Sequence, residues 1–239
     1  MFPISSWYDR LGYHSFPTVF VGLRADQKTA LLEAAGRDVV DSPTSSVEKS
    51  VAAALQKAIR ALPGSCFVGA DVCAPTDSPL FAESASVSNG DRAWQMLTSS
   101  PKVRQALQQD QTSRLTVRPF RNMNRIREFR LFLYDRELVA MSQMNLERHF
   151  KRFARRHDQL WGQGCELATA FRDGLPADHA VVDIYFCSNG DALLVDMNQW
   201  GEPTDPLLLR TWDQDWTARP GLKLIAPPLD LSGDVSVSF

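Results

Sequence analysis

No run of about 18 consecutive apolar residues occurs in this sequence, which argues against a membrane-spanning helix. A charged segment leading into an apolar one is likewise missing at its start, so no secretory leader is expected. Cysteine is scarce. Cys66, Cys73, Cys165 and Cys187 lie far apart, with no Cys-x-x-Cys pair and no histidine at zinc-ligand spacing. That argues against a disulfide framework or a structural zinc site and favours a reducing, cytoplasmic setting. Neither sign of charge dominates: 26 Lys and Arg against 28 Asp and Glu leave a net charge of −2. No global field draws such a chain to nucleic acid or to a membrane. No internal repeat is visible. What is present is 239 residues, 44% of them apolar, enough for one large domain or two small ones sharing a cleft.

The most informative stretch runs from Ala180 to Asp205. Two apolar runs, Val181–Phe186 and Ala192–Val195, flank Ser188-Asn189-Gly190-Asp191, a strong hairpin signal. Asp183 falls mid-strand, and Asp196 and Asn198 close the partner strand. Side chains two apart leave the same face of a sheet. The hairpin therefore brings Asp183 beside Asp196 and Asn198, two carboxylates and an amide oxygen. Such hard ligands suit Mg²⁺, which takes the rest of its shell from water and phosphates. The plainer alternative is turn chemistry at a strand end. Against it stands Asp183, an acid inside an apolar run, costly unless its charge is compensated.

Elsewhere, Phe16–Leu23 reads as a strand, and Asp26 is placed to cap a short helix that Gly36 ends. Ser45 and Glu48 form a capping box for a helix with apolar positions Val47, Val51, Leu55, Ala58 and Leu62, stopped by Pro63-Gly64. Cys66–Val68 is a short strand leading into Gly69–Pro79. That loop can wrap phosphates through its N–H groups or be an ordinary surface loop. Ser100-Pro101 opens another helix, to about Gln108. Leu115–Arg118 is a strand, and Phe129–Leu133 pairs with Leu138–Met141 as a second hairpin.

Between Arg121 and Arg156 lie ten cations, offset by Glu128, Asp135, Glu137 and Glu147 alone. A nucleic-acid patch is one reading, though no nucleic-acid motif accompanies it. An anion cleft built on bidentate guanidinium contacts is another. The third is a solvated helix face over Arg148–Arg156, with Phe150 and Phe153 turned inward.

Taken together, Phe2-Pro3…Trp7-Tyr8, Glu128-Phe129-Arg130, Ser142-Gln143 and Val195-Asp-Met-Asn-Gln-Trp-Gly-Glu-Pro-Thr-Asp205 form a pattern. It resembles the cell-division-cycle protein 123 family, over almost the whole chain and in the right order. Asp196–Asp205 is the most specific part. The Glu128-Phe129-Arg130 segment and the Asp183 hairpin also look like parts of D-alanine–D-alanine ligases.

The resemblance implies an α+β, ATP-grasp-like fold with nucleotide held between two α+β subdomains, divided as residues 1–110 and 111–239. It implies ATP and Mg²⁺ as cofactors, with the metal on Asp183, Asp196 and Asn198. Arg118, Pro119 and Phe120 would sit at a hinge beside adenine, opposite Phe67–Val72. Proline has no N–H, so Phe120 would supply the backbone donor. Glu128 would face the ribose, and Arg130, the candidate catalytic residue, would reach the phosphates or support the metal acids. The family segment Phe-Pro-Lys-x-Asn-Trp-Ser-x-Pro-x-Asp reads Phe67-Val-Gly-Ala-Asp-Val-Cys-Ala-Pro-Thr-Asp77 here. Gly69 thus replaces the phosphate lysine with backbone alone, and Thr98 stands where the family has a second lysine.

Three functions are compatible with this pattern. One is an ATP-grasp ligase joining a carboxylate to an amine or thiol, its acceptor unnamed. Another is an ATP-binding assembly chaperone with a protein client, the role of eukaryotic members that help build translation initiation factor 2. The third is a degenerate nucleotide-fold binding protein.

Overall fold

The computed structural model describes residues 1–37 and 41–228. In chain order its helices are α1 (Ile4–Leu11), α2 (Ala25–Ala34), α3 (Ser46–Arg60), α4 (Pro79–Glu83), α5 (Gly90–Thr98), α6 (Pro101–Gln108), α7 (Lys151–Arg155) and α8 (His157–Phe171). The strands are β1 (Val19–Gly22), β2 (Cys66–Ala70), β3 (Arg114–Pro119), β4 (Glu128–Tyr134), β5 (Glu137–Gln143), β6 (Ala180–Phe186), β7 (Ala192–Gln199) and β8 (Gly221–Lys223). They form a three-stranded sheet, β1-β3-β2, and a five-stranded sheet, β7-β6-β4-β5-β8. The fold is α+β, as the sequence implies.

Local chemistry explains the helix starts. The Ser45 hydroxyl accepts from the Glu48 N–H at 3.2 Å, and the Glu48 carboxylate accepts from the Ser45 N–H at 2.9 Å, closing the capping box of α3. Burial works against the Glu48 charge, yet the N–H groups of Ser45 and Thr44, with the Thr44 hydroxyl and Arg37, bring its pKa down to about 2. At α6 the Ser100 hydroxyl accepts from Val103, with Pro101 at the first position. At α2 the expected cap differs. Arg24 occupies the cap position, and Asp26 sits in the first turn, paired with Arg24.

Each sheet has its own core. Val51, Ala52, Leu55 and Ile59 of α3 pack with α2, α5, α6 and the inner residues of β2 and β3. Trp7 and Leu11 of α1 instead pack with α8 and with Phe129, Leu131, Val182 and Ile184 of the larger sheet. The division expected at 110/111 therefore does not follow the packing. β3 belongs to the first sheet, and α1 packs against the second. At α8 the helix lies close to the sheet: a Cβ on Gly164 would stand 2.9 Å from the Met141 sulfur.

The outer face of the larger sheet is divided lengthwise. Phe132, Ala140 and Val181 are roofed by Trp212, Trp216 and Trp200. Further along the same face the apolar cover stops and charged side chains take over.

Candidate functional site

The charged end of that face is built on three neighbouring strands. Asp183 of β6 lies directly opposite Arg130 of β4 and Asp196 of β7. One step on, Ile184 pairs with Leu194, which leaves Val195 as an extra residue in β7. Such a bulge bends the strand and re-aims its side chains. The Val195 carbonyl accepts from Nη1 of Arg118 at 3.2 Å, so the smaller sheet's β3 reaches the larger sheet here.

Asp183 is buried and well partnered. Arg130 grips it through two hydrogen bonds, Nε to Oδ1 at 2.7 Å and Nη2 to Oδ2 at 2.9 Å, and donates Nη1 to the Asp205 carbonyl at 2.7 Å. Burial opposes the arginine's charge, but Asp183 holds Arg130 above its ordinary range. The Asn198 amide donates to Asp183 Oδ2 at 3.1 Å. A carboxylate only accepts, so Asn198 must show it the NH₂ group, leaving Oδ1 free as a ligand atom.

Asp196 is less well served. The Met197 N–H donates to one of its oxygens at 2.8 Å. Burial first, then the charge of Asp183, push its pKa up to about 7, with Arg118 offsetting only part. Arg118 is the mirror case. It is 9% exposed, and its Nε and Nη2 have no hydrogen-bond partner. Burial lowers its pKa, while Asp196, Tyr8 and Asp71 favour its charge.

The structure thus brings Asp183, Asp196 and Asn198 to one place, with Arg130 and Arg118 beside them. The donor set fits a hard divalent cation. Asp196 has an oxygen to spare and Asn198 presents a free carbonyl. Arg130 is placed as the support of Asp183, its three bonding nitrogens already engaged.

Other expected roles change. Phe67 pairs directly with Arg118, and Cys66 with Pro119, so β2 lies alongside this segment and forms no slot opposite it. The Phe120 N–H donates to the Ser65 carbonyl at 2.8 Å and is not available to a base. Arg118 points to the acids. Gly69 is buried within β2 under the turn Ala70–Cys73, where a Cβ would sit 3.0 Å from the Cys73 oxygen. Its backbone therefore faces β3 and that turn. Thr98 returns its hydroxyl to the Trp94 carbonyl at 3.0 Å. Glu128 is half-buried; burial raises its pKa, Arg125 counters this and Asp183 adds to it.

Sequence reasoning missed the Val195 bulge, the Asp205 carbonyl and the true direction of Arg118. For Arg118 a signal existed. A guanidinium in the apolar run Leu-Thr-Val-Arg-Pro needs an anionic or carbonyl partner, as Asp183 does among valines.

Comparison with known proteins shows the family and the fold. The D123 family model matches residues 26–218. The chain belongs to the D123 family. It is similar to Cdc123 of Schizosaccharomyces pombe, at 18% identity and a TM-score of 0.74 over 94% of this chain and 95% of that one. A C-terminally truncated form of that protein gives 19% and 0.77. The fold is therefore that of Cdc123. Translation initiation factor eIF2 assembly proteins of Danio rerio and Xenopus tropicalis match at 31% and 29% identity over 91 residues, 36% of this chain. The match spans only 25% and 26% of their lengths.

Proposed function

We propose that this D123 protein binds ATP with Mg²⁺ where its two sheets meet and acts as an assembly factor for a protein client. The observation that carries the nucleotide reading is Arg118, a buried cation with two unpartnered donors beside an acid–amide set. A phosphate would satisfy those donors and leave the metal to Asp183, Asp196 and Asn198. Mg²⁺ would supply charge neutralisation at the phosphates. Arg130 would hold Asp183 in the orientation the site needs. A cavity of about 510 Å³ lined by Arg121, Asn122, Met123, Tyr185 and Leu193 follows directly on Phe120 and borders the acid-bearing face at Tyr185. It is large enough for a nucleoside.

The client reading is supported by the relatives, which are named as assembly proteins for a translation initiation factor. A ligase reading has less behind it. Neither Gly69 nor Thr98 supplies the cation that the family's lysines would, and Arg130 is committed to Asp183. Calorimetric titration with ATP and ADP, with and without Mg²⁺, tests the nucleotide site, and pull-down with nucleotide present tests the client. Mg²⁺-dependent ATP binding without sustained turnover is expected. Continuous ADP release with a small-molecule acceptor would instead establish the ligase. Absence of any nucleotide binding would leave a degenerate nucleotide fold.

A further inference from the structure

On the opposite face of the larger sheet lies a second concavity, unrelated to the acids. Phe129 and Phe186 from β4 and β6 make its floor with Phe153 and Leu160 from α7 and α8. Strand alternation places Phe129 and Phe186 on the face away from Arg130 and Asp183. The cavity holds about 160 Å³. Arg127, Arg152 and Arg156 stand around its mouth. A more open hollow of about 380 Å³ adjoins it, shares Arg152, and adds Arg148 and Lys151 around Phe150.

Arg156 donates its Nε to the Gln159 Oε1 at 2.9 Å. Among the described residues, though, none of Arg127, Arg148, Arg152 and Arg156 pairs with a carboxylate that would neutralise it. Arg152 lies over the Phe153 ring at 5.1 Å and Arg148 over Phe150 at 5.2 Å. Stacked in this way, a guanidinium keeps its edge donors open to an anion. Four unpaired arginines on a protein of net charge −2 form a local field of the opposite sign.

Two features identify the occupant. The floor is apolar, which free phosphate would not need. The rings meet edge to face, at 65° for Phe129–Phe153, 66° for Phe129–Phe186 and 60° for Phe150–Phe153. No flat aromatic platform is offered, as base stacking would require. We infer that this cavity docks an acidic peptide segment, one aromatic or aliphatic side chain entering between Phe129, Phe153 and Phe186 while flanking carboxylates meet Arg127, Arg152 and Arg156. A buried anchor inside a charged rim is how short segments obtain both affinity and specificity.

The test uses the full chain and a fluorescein-labelled peptide, Asp-Glu-Phe-Glu-Asp, read by anisotropy. Saturable binding is expected, weakening as salt is raised about tenfold. Replacing the phenylalanine by alanine, or the acids by their amides, should each weaken it by about tenfold or more. The double variant Arg152→Gln, Arg156→Gln should do the same, with unchanged circular dichroism and unchanged ATP binding, since both arginines are exposed and lie away from Asp183. No saturation up to about 1 mM, or equal affinity for the alanine peptide, overturns the assignment. So does tighter, arginine-dependent binding of single-stranded oligothymidine, which would make the surface one for nucleic acid. ATP binding is read separately, so failure here and failure of the nucleotide site are distinguishable.

Discussion

Asp183 and Arg118 are both charged groups set into apolar strands, and the structure treats them differently. Asp183 is well partnered without a ligand, with Arg130 on both oxygens and Asn198 on one. Arg118 has one carbonyl and two idle donors. A closed pair contributes to the folded state whether or not a ligand arrives. An open cation costs the folded state something and is repaid by an anion. The contrast separates residues that hold the site from residues that wait for a ligand.

The sharpest way to break this comparison is to remove Asp183. Asp183→Ala strands Arg130 in a buried position, and breaking such a pair costs about 3–5 kcal/mol. Urea denaturation should show that loss; a change under about 1 kcal/mol would mean the pair is not buried in the sense argued here. Arg118→Met should behave in the reverse way. Stability should move by no more than about 1 kcal/mol, because two unsatisfied donors leave with the side chain. ATP affinity should fall by about 1.5–3 kcal/mol, the scale of a charged hydrogen bond, with adenosine affinity unchanged. Equal losses for ATP and adenosine would remove Arg118 from the phosphate side.

Asp196 sharpens the comparison through pH. Its folded pKa is about 7 against an ordinary value of 3.8, so between those values the folded state keeps a proton that the unfolded state has released. Metal-free stability should therefore fall as pH rises from 4 to 7 and level off above. The effect is on the order of 1–2 kcal/mol after allowing for its partial contact with solvent. Asp196→Asn should flatten that slope, and a slope that survives the substitution would assign it elsewhere. Glu48 acts in a different window. Its folded pKa near 2 lies below the ordinary 4.5, so its contribution is complete above 4.5 and lost as pH falls towards 2. The smallest effect belongs to Gly69. Gly69→Ala forces a Cβ to 3.0 Å from the Cys73 oxygen and should cost about 1 kcal/mol by thermal denaturation, without altering ATP affinity. A loss of ATP affinity at equal stability would restore Gly69 to the nucleotide site.

Much of this was legible in residues a few positions apart. Ser45 with Glu48, Ser100 with Pro101, and Asn189-Gly190 between apolar runs each encode a local geometry, and each appears as expected. Asp183 was visible because an acid among valines demands an explanation. What escaped depends on contacts across the chain. Arg118 finds its acceptor 77 residues away, at a carbonyl freed by the Val195 bulge, which no local pattern announces. The helix α8 was missed because Gly162 and Gly164 interrupt its apolar spacing; Gly164 is needed where the helix touches Met141. The bond made by the Phe120 N–H escaped for a related reason. Phe120 extends the β2–β3 pairing one bond further, a partner choice made by Ser65.

The position of α1 has a consequence for how the chain acquires its structure. Its first turn is capped by a distant group: the Asp71 carboxylate accepts from the Ser5 N–H at 2.8 Å, and the Asp71 carbonyl accepts from the Ile4 N–H at 2.9 Å. Its apolar side, however, packs against strands that follow residue 128. During synthesis the smaller sheet and its helices can assemble as soon as Pro119 has emerged, since their core draws only on residues up to there. The opening helix must then wait, tethered at one end and bare along its apolar side, until β6 and β7 arrive. A segment made before the smaller sheet is thus buried after it. For that interval Trp7 and Leu11 are the surface that a chaperone of the nascent chain would meet.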